Sequence, residues 1–458
     1  MSELLQFSTT LAAPREFAFE WHERPGAFDR LSPPWDKVRL VESHGGIRDG
    51  SRATLEVPIG PFRIHWLAEH RGYEHGRSFD DFQLRGPFAQ WLHRRRFEDE
   101  GPGCRLDETL EYRLPFGLLG RMLAGRSVRT RVQRVFRYRS RVLQWDVEAH
   151  YGARNTGPMR VLISGAGGLV GSHLRPFLST GGHHVASLVR RAPQTDSEIR
   201  WDPARGDLDP SLLEGFDAVI HLAGESIEGR WTSEKKAAIL KSRVDSTRLL
   251  AEALARLTKP PVTLISASAI GFYGDRGDTE LTEESARGSG FLPDVVAAWE
   301  EAASAAREAG IRVVHPRFGV ILSPKGGALR RLLPLALVGA SGIIGSGKQF
   351  VSWVAMDDVL HSLLHVLLNR DLSGPVNVVS PEPVCQRDFA RSLAAAVGRP
   401  ALIPTPALVV RMAMGREAAD ALVLASQRVV PAKLLGSGFS FRLPRLADAL
   451  NHLLGRRG

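Results

Sequence analysis

Apolar positions follow two different rhythms along this chain. In the first part they alternate with polar ones in short runs rich in β-branched and aromatic residues: Leu5 to Leu11, Val38 to Glu42, Ala53 to Pro58, Arg63 to His70, Phe79 to Leu84, Trp91 to Phe97 and Arg105 to Leu114. A period of two, broken by turn residues, predicts an antiparallel sheet with one buried face. Pro14 to Phe28 interrupts it as one or two short helices. From Leu118 to Leu143 the apolar residues Val128, Val132, Val135, Phe136, Val142 and Leu143 recur at roughly helical spacing. This predicts a long amphipathic helix that closes the sheet.

After Met159 the alternation stops. Met159 to Ser164, His184 to Val189, Asp217 to Leu222 and Val262 to Ser266 are continuous apolar runs, the pattern of strands buried on both faces. Helical stretches intervene at Ser172 to Ser179, Ser233 to Leu257 and Asp294 to Ala309, and Arg312 to Leu322 reads as a strand with an extension. Strands alternating with helices predict an α/β Rossmann fold, a doubly wound parallel sheet. Tyr151 to Pro158, YGARNTGP, gathers Gly, Asn and Pro where the rhythms meet and reads as the linker, 151–158.

The strand from Met159 leads directly into Gly165-Ala-Gly-Gly-Leu-Val-Gly171 and then a helix. In that context the glycines are the signature of a dinucleotide site. Gly165 permits the tight turn, Gly168 lets the backbone approach a pyrophosphate, and Gly171 allows close packing, with Leu169 and Val170 between them. The next strand ends in Arg190 and Arg191, where an NAD-preferring site carries an acid. Guanidinium groups suit a 2′-phosphate, so NADP(H) is expected over NAD(H). The following strand ends in the small residues Ala223 and Gly224, after Leu222, where backbone can lie against the adenosine or ribose.

Composition changes little. The chain of 458 residues is 43% hydrophobic and 24% charged, an ordinary globular balance large enough for several domains. Two cysteines without partners at ligand spacing imply neither a disulfide framework nor a metal site, and fit a reducing, cytoplasmic setting. No segment reads as a secretion signal or a membrane span. The net charge of +10 includes eight arginines between Arg121 and Arg141, which read as the solvated face of the long helix, not as a nucleic-acid surface.

One terminal helix packed into a curved antiparallel sheet resembles the START-like, polyketide-cyclase-like (SRPBCC) superfamily over residues 1–150. The resemblance implies an α+β helix-grip domain with an apolar cavity for a hydrophobic ligand. Trp66, Phe82, Phe88, Trp91 and Phe97 are candidates for its lining, with simple core filling as the alternative. In the second part, GAGGLVG, HLAGE, Ser242 to Thr247, Ser266 to Asp275 and Gly345 to Trp353 together resemble the atypical, SDR39U1-like epimerase branch of the extended short-chain dehydrogenase/reductases (SDR). That implies an NADP-binding Rossmann domain at 159–373 and a carboxy-terminal lobe at 374–458. It also brings Arg191, Leu222, Ala223 and Arg243 to the cofactor.

Ordinary members pair a Ser with Tyr-x-x-x-Lys for proton transfer. Ser268 matches the serine, but the expected helix, Phe291 to Glu301, has neither tyrosine nor lysine. Ser268 and Tyr273 are the catalytic candidates, and Asp357 with Asp358 is expected to cap or anchor a helix. Two readings follow. One is an NADP(H)-dependent oxidoreductase or nucleoside-sugar-epimerase-like enzyme on a small-molecule substrate. The other is a binding or sensing protein for NADP(H) and a hydrophobic ligand.

Overall fold

In the computed structural model, which describes residues 2–456, the alternating runs form seven strands. In chain order the elements are β1 (Glu3–Leu11), α1 (Arg15–Glu23), α2 (Ala27–Leu31), β2 (Arg39–His44), β3 (Arg52–Ile59), β4 (Phe62–Glu74), β5 (Ser78–Arg85), β6 (Gln90–Glu100), β7 (Gly103–Arg113) and α3 (Gly117–Gly152). The sheet order is β1-β7-β6-β5-β4-β3-β2, antiparallel throughout. One face is the core, because Cys104, Leu106, Leu110 and Tyr112 of β7 are buried at every second position. Against it α3 lays Val132, Phe136, Leu143 and Val147, with Phe136 stacked on Phe7 at 4.3 Å between centroids. This is a helix-grip arrangement.

Two expectations shift here. The long helix runs nine residues past Leu143, because Val147 and His150 continue its buried stripe, so Tyr151 and Gly152 are helical and a short turn, Arg154–Thr156, takes up part of the expected linker. The arginines are not all on the solvated face, since Arg139 donates through Nε to the Leu31 carbonyl at 3.2 Å.

Contacts divide the chain into two units, one running to Pro158 and taking in Pro176–Gly182, the other Met159–Arg175 and the chain from His183 on. Beyond the linker the chain continues with β8 (Arg160–Ser164), α4 (Gly171–Thr180), β9 (His184–Val189), β10 (Glu198–Arg200), β11 (Ala218–His221), α5 (Ser233–Ala255), β12 (Thr263–Ser266), β13 (Ser268–Ala269), β14 (Glu280–Leu281), α6 (Phe291–Glu301), α7 (Ser304–Glu308) and β15 (Arg312–Phe318). The sheet order β10-β9-β8-β11-β12-β15-β13 is parallel, and a later strand, Gly374–Val378, also pairs with β15. This is the Rossmann-type layout. Every residue of β11 and β12 is buried, as continuous apolar runs require. The single helix expected over Asp294 to Ala309 is two, α6 and α7, parting at the buried alanines Ala302 and Ala303.

Asp357 and Asp358 lie in the first turn of a buried helix, Met356–Leu368. They anchor the carboxy-terminal segment: Asp358 accepts the backbone N–H groups of Arg442 and Leu443, and Asp357 pairs with His452 Nε2 at 3.0 Å. Among the described residues no helix is long and apolar enough to cross a membrane, and no cluster of side chains is arranged to hold a metal.

Candidate functional site

The glycine loop joins β8 to α4 at the carboxyl edge of the sheet. Gly165 has φ +70°, and a Cβ there would lie 2.7 Å from the Leu222 carbonyl carbon, so only glycine lets the loop close against the end of β11. At Gly171 a Cβ would meet the Gly165 oxygen at 2.4 Å. Gly167 and Gly168 are exposed, and a Cβ on Gly167 would touch nothing within 4 Å. Two glycines therefore build the turn, and the stretch between them is left open at a helix amino terminus, the geometry that accepts a phosphate. Leu222 and Ala223 abut the loop, and Gly224 beside them is exposed. The residues present fit a dinucleotide.

Arg190 and Arg191 are both exposed just past β9. Arg191 is held bidentate by Glu198 of β10, at 2.8 and 2.5 Å, and this pair draws the Glu198 carboxyl down to about 2. Glu198 was not among the candidates; its only signal is an acid on a three-residue edge strand. Arg243 donates through Nη1 to the Glu225 and Ile239 carbonyls, and its guanidinium lies 5.0 Å from the Trp299 ring centroid. Burial pushes its pKa down to about 10. It thus braces the segment that follows Gly224.

Ser268 and Tyr273 come together in a cluster that composition did not disclose. Ser268 Oγ donates to Glu300 Oε1 at 2.6 Å, and Arg317 grips the same carboxylate with Nε and Nη2, each at 2.8 Å. Arg317 Nη1 donates to the Tyr273 hydroxyl at 3.0 Å, and that hydroxyl donates to Asn377 Oδ1 at 2.7 Å. Burial pushes the Glu300 carboxyl up, but the Arg317 fork outweighs it and leaves it below its ordinary value. Burial also raises the Tyr273 phenol, with Arg317 opposing. Tyr273, the expected proton donor, is fully buried, and its hydroxyl is engaged both as donor and acceptor. The one proton of Ser268 is committed to Glu300. On α6, Leu292 and Val296, four residues apart, face Gly271 at 3.5 and 3.8 Å from where its Cβ would be. Apolar groups stand on the helix face turned to this site.

Comparison with known proteins places these features. The family model for the NAD-dependent epimerase/dehydratase family matches residues 161–379. An epimerase family protein of Mycobacterium bovis is 40% identical over 299 residues, which span 65% of this chain and 98% of that protein. The chain belongs to the epimerase family. Human epimerase family protein SDR39U1 is 35% identical over 300 residues, 65% of this chain and all of that protein. Its crystal structure with NADPH superposes with a TM-score of 0.60 at 33% identity, covering 65% of this chain and 99% of that one. A structure described as the nucleoside-diphosphate sugar epimerase of Corynebacterium glutamicum covers 98% of this chain and 90% of its own, with TM-score 0.81 and 35% identity. Two further models bracket the epimerase core: polyketide cyclase / dehydrase and lipid transport at 11–136, and a domain of unknown function at 405–453. This epimerase-family chain therefore carries a polyketide-cyclase-like unit in front of its SDR-like unit.

The interior of that first unit is not wholly apolar. Phe97 packs into a core with Leu11, Phe19 and Phe79, while Trp66, Phe88 and Trp91 contact one another with ring centroids 4.8–5.7 Å apart. Phe82 departs from the expected set: strand alternation turns it to the face opposite Asp81, where Arg71 covers its ring at 4.3 Å. Beside the aromatics, Arg95 Nη2 pairs with Asp81 at 2.8 Å and His93 Nε2 with Glu108 at 3.0 Å. Burial pushes Asp81 up, but Arg95, His70 and His93 together hold it well below its usual range. None of Asp81, His93, Arg95 and Glu108 was singled out from the sequence.

Proposed function

We propose that this chain is an NADP(H)-dependent oxidoreductase or epimerase-type enzyme acting on a small molecule in the cytoplasm. The observation that carries the reading is the glycine loop, closed against Leu222 and open over Gly167 and Gly168. Gly165, Gly168, Leu169, Val170 and Gly171 would hold the pyrophosphate, Leu222, Ala223 and Gly224 the adenosine side, and Arg190 with Arg191 the 2′-phosphate. NADPH in the human relative supports this choice over NAD(H). The division we infer assigns 1–150 to a hydrophobic ligand, 159–373 to the cofactor and 374–458 to the substrate lobe. When bound, the cofactor supplies hydride. Ser268 acts as a positioning residue that fixes Glu300 and Arg317, and the proton for a substrate oxygen comes from solvent.

One observation favours a second reading. Ser268 and Tyr273 spend their protons on Glu300 and Asn377, and α6 presents Leu292 and Val296 to this site. A protein so built can hold NADP(H) and sense a hydrophobic ligand without turnover. Steady-state NADPH oxidation by the full chain across a broad carbonyl panel decides between them. Turnover that persists in Ser268→Ala supports the enzyme with solvent as proton source. Silence on every substrate, with NADPH binding intact, supports the sensor.

A further inference from the structure

The large apolar side chains that the first unit leaves in solvent collect at one end of its sheet. Register defines that end. Glu3 pairs with Tyr112, Gln90 with Arg113 and Ile59 with Phe62, so the start of β1, the end of β7, the start of β6 and the tip of the β3–β4 hairpin all lie there. The chain then enters α3 from the same end. Phe116, Leu118, Leu119, Met122 and Leu123 are 61–85% exposed, and Phe62 at the hairpin tip is 72% exposed. Leu118, Leu119, Met122 and Leu123 are spaced by one and four residues, so they share one helix face that has nothing to pack against.

The charge around this rim is predominantly positive. Between Glu111 and Asp146 the chain has no Asp or Glu. Arg85, Arg113 and Arg126 at this end have no carboxylate within ion-pair distance among the described residues, whereas Glu3 is answered by both Arg121 and Arg129. The first turn of α3 has no acid and no side-chain cap, so the positive end of its dipole points the same way. Protruding apolar tips ringed by arginines match an interfacial lipid surface: acyl chains take the Leu, Met and Phe side chains, and headgroup phosphates take the guanidinium groups. A second copy fits less well. A two-fold contact would set Arg113 and Arg126 near the same residues of its mate, with no acid to answer them.

We propose that this rim docks the first unit on an anionic phospholipid surface, as a peripheral contact that spans nothing. The proposal is independent of how the second unit binds its cofactor. It is tested by cosedimentation of the full chain with vesicles of equal parts phosphatidylcholine and phosphatidylglycerol, and with vesicles of phosphatidylcholine alone. The wild type should bind the mixed vesicles, much less the neutral ones, and lose binding as salt is raised. Leu119→Asp with Met122→Asp should weaken partition at least about tenfold, and Phe62→Ser, distant in sequence but on the same rim, should weaken it too. Arg113→Gln with Arg126→Gln should weaken it about tenfold for the mixed vesicles only. All these positions are exposed, so circular dichroism and the thermal midpoint should be unchanged. Three results overturn the proposal: no binding of the wild type to the mixed vesicles, binding that survives the apolar substitutions, or light scattering in which those substitutions dissociate a dimer while vesicles are ignored.

Discussion

At the scale of single residues the site divides into groups that build and groups left open, and substitutions should respect the division. Gly171→Ala forces a Cβ to 2.4 Å from the Gly165 oxygen, a backbone atom that cannot give way, and should destabilise the second unit while abolishing NADPH binding. Gly167→Ala meets nothing within 4 Å and should fold with an unchanged thermal midpoint; differential scanning calorimetry of both variants checks the contrast. Arg317→Leu should be worse than either candidate catalyst. It leaves the Glu300 carboxylate buried without its fork and should cost about 3–5 kcal/mol in urea unfolding. Tyr273→Phe strands Asn377 and one arm of Arg317, at about 1–3 kcal/mol, without changing NADPH affinity.

At the scale of elements, β8, β11 and α5 are stitched by one neutral histidine. His221 Nδ1 lies 2.6 Å from Ser164 Oγ and Nε2 lies 3.2 Å from Ser246 Oγ, while Ser246 gives its own proton to the Ser242 carbonyl. Nε2 therefore carries the hydrogen, and Nδ1 accepts from Ser164. Burial holds the His221 pKa at about 4. The unfolded chain takes up a proton near 6.5 and the folded one does not, so stability is fully present above that pH and is lost as pH falls towards 4, by about 3 kcal/mol. Urea unfolding of the second unit within the full chain should show this slope, and His221→Asn should flatten it.

The same elements mark what a sequence can disclose. Strand rhythm located β1 to β7 and the parallel strands because periodicity follows burial, and the glycine loop was readable because the turn at Gly165 and the close packing at Gly171 each demand glycine. Residues joined by tertiary contact left no such trace. Glu300 and Arg317 are 17 positions apart on a helix and a strand, and Asn377 lies 104 residues from Tyr273; no local pattern links them. For that reason Ser268 and Tyr273 looked available for chemistry when both are bound into a buried network. Asp81, His93, Arg95 and Glu108 were missed for the opposite cause: their alternation was visible, but a pair of opposite charges can be buried where a single charge cannot.

At the scale of the whole molecule, an epimerase-family core is joined to a polyketide-cyclase-like unit. The central claim concerns the first of these: that Gly165 to Gly171 holds NADP(H), with Arg190 and Arg191 on the 2′-phosphate. The pairing of Arg191 with Glu198 makes the claim sharper, since one of the two cations already has a carboxylate and the phosphate must compete for it. Calorimetric titration of the full chain with NADPH and with NADH, before and after Arg190→Ala with Arg191→Ala, tests it directly. The double substitution should weaken NADPH more than about tenfold and leave NADH within about twofold. Equal weakening of both, or wild-type preference for NADH, would contradict it.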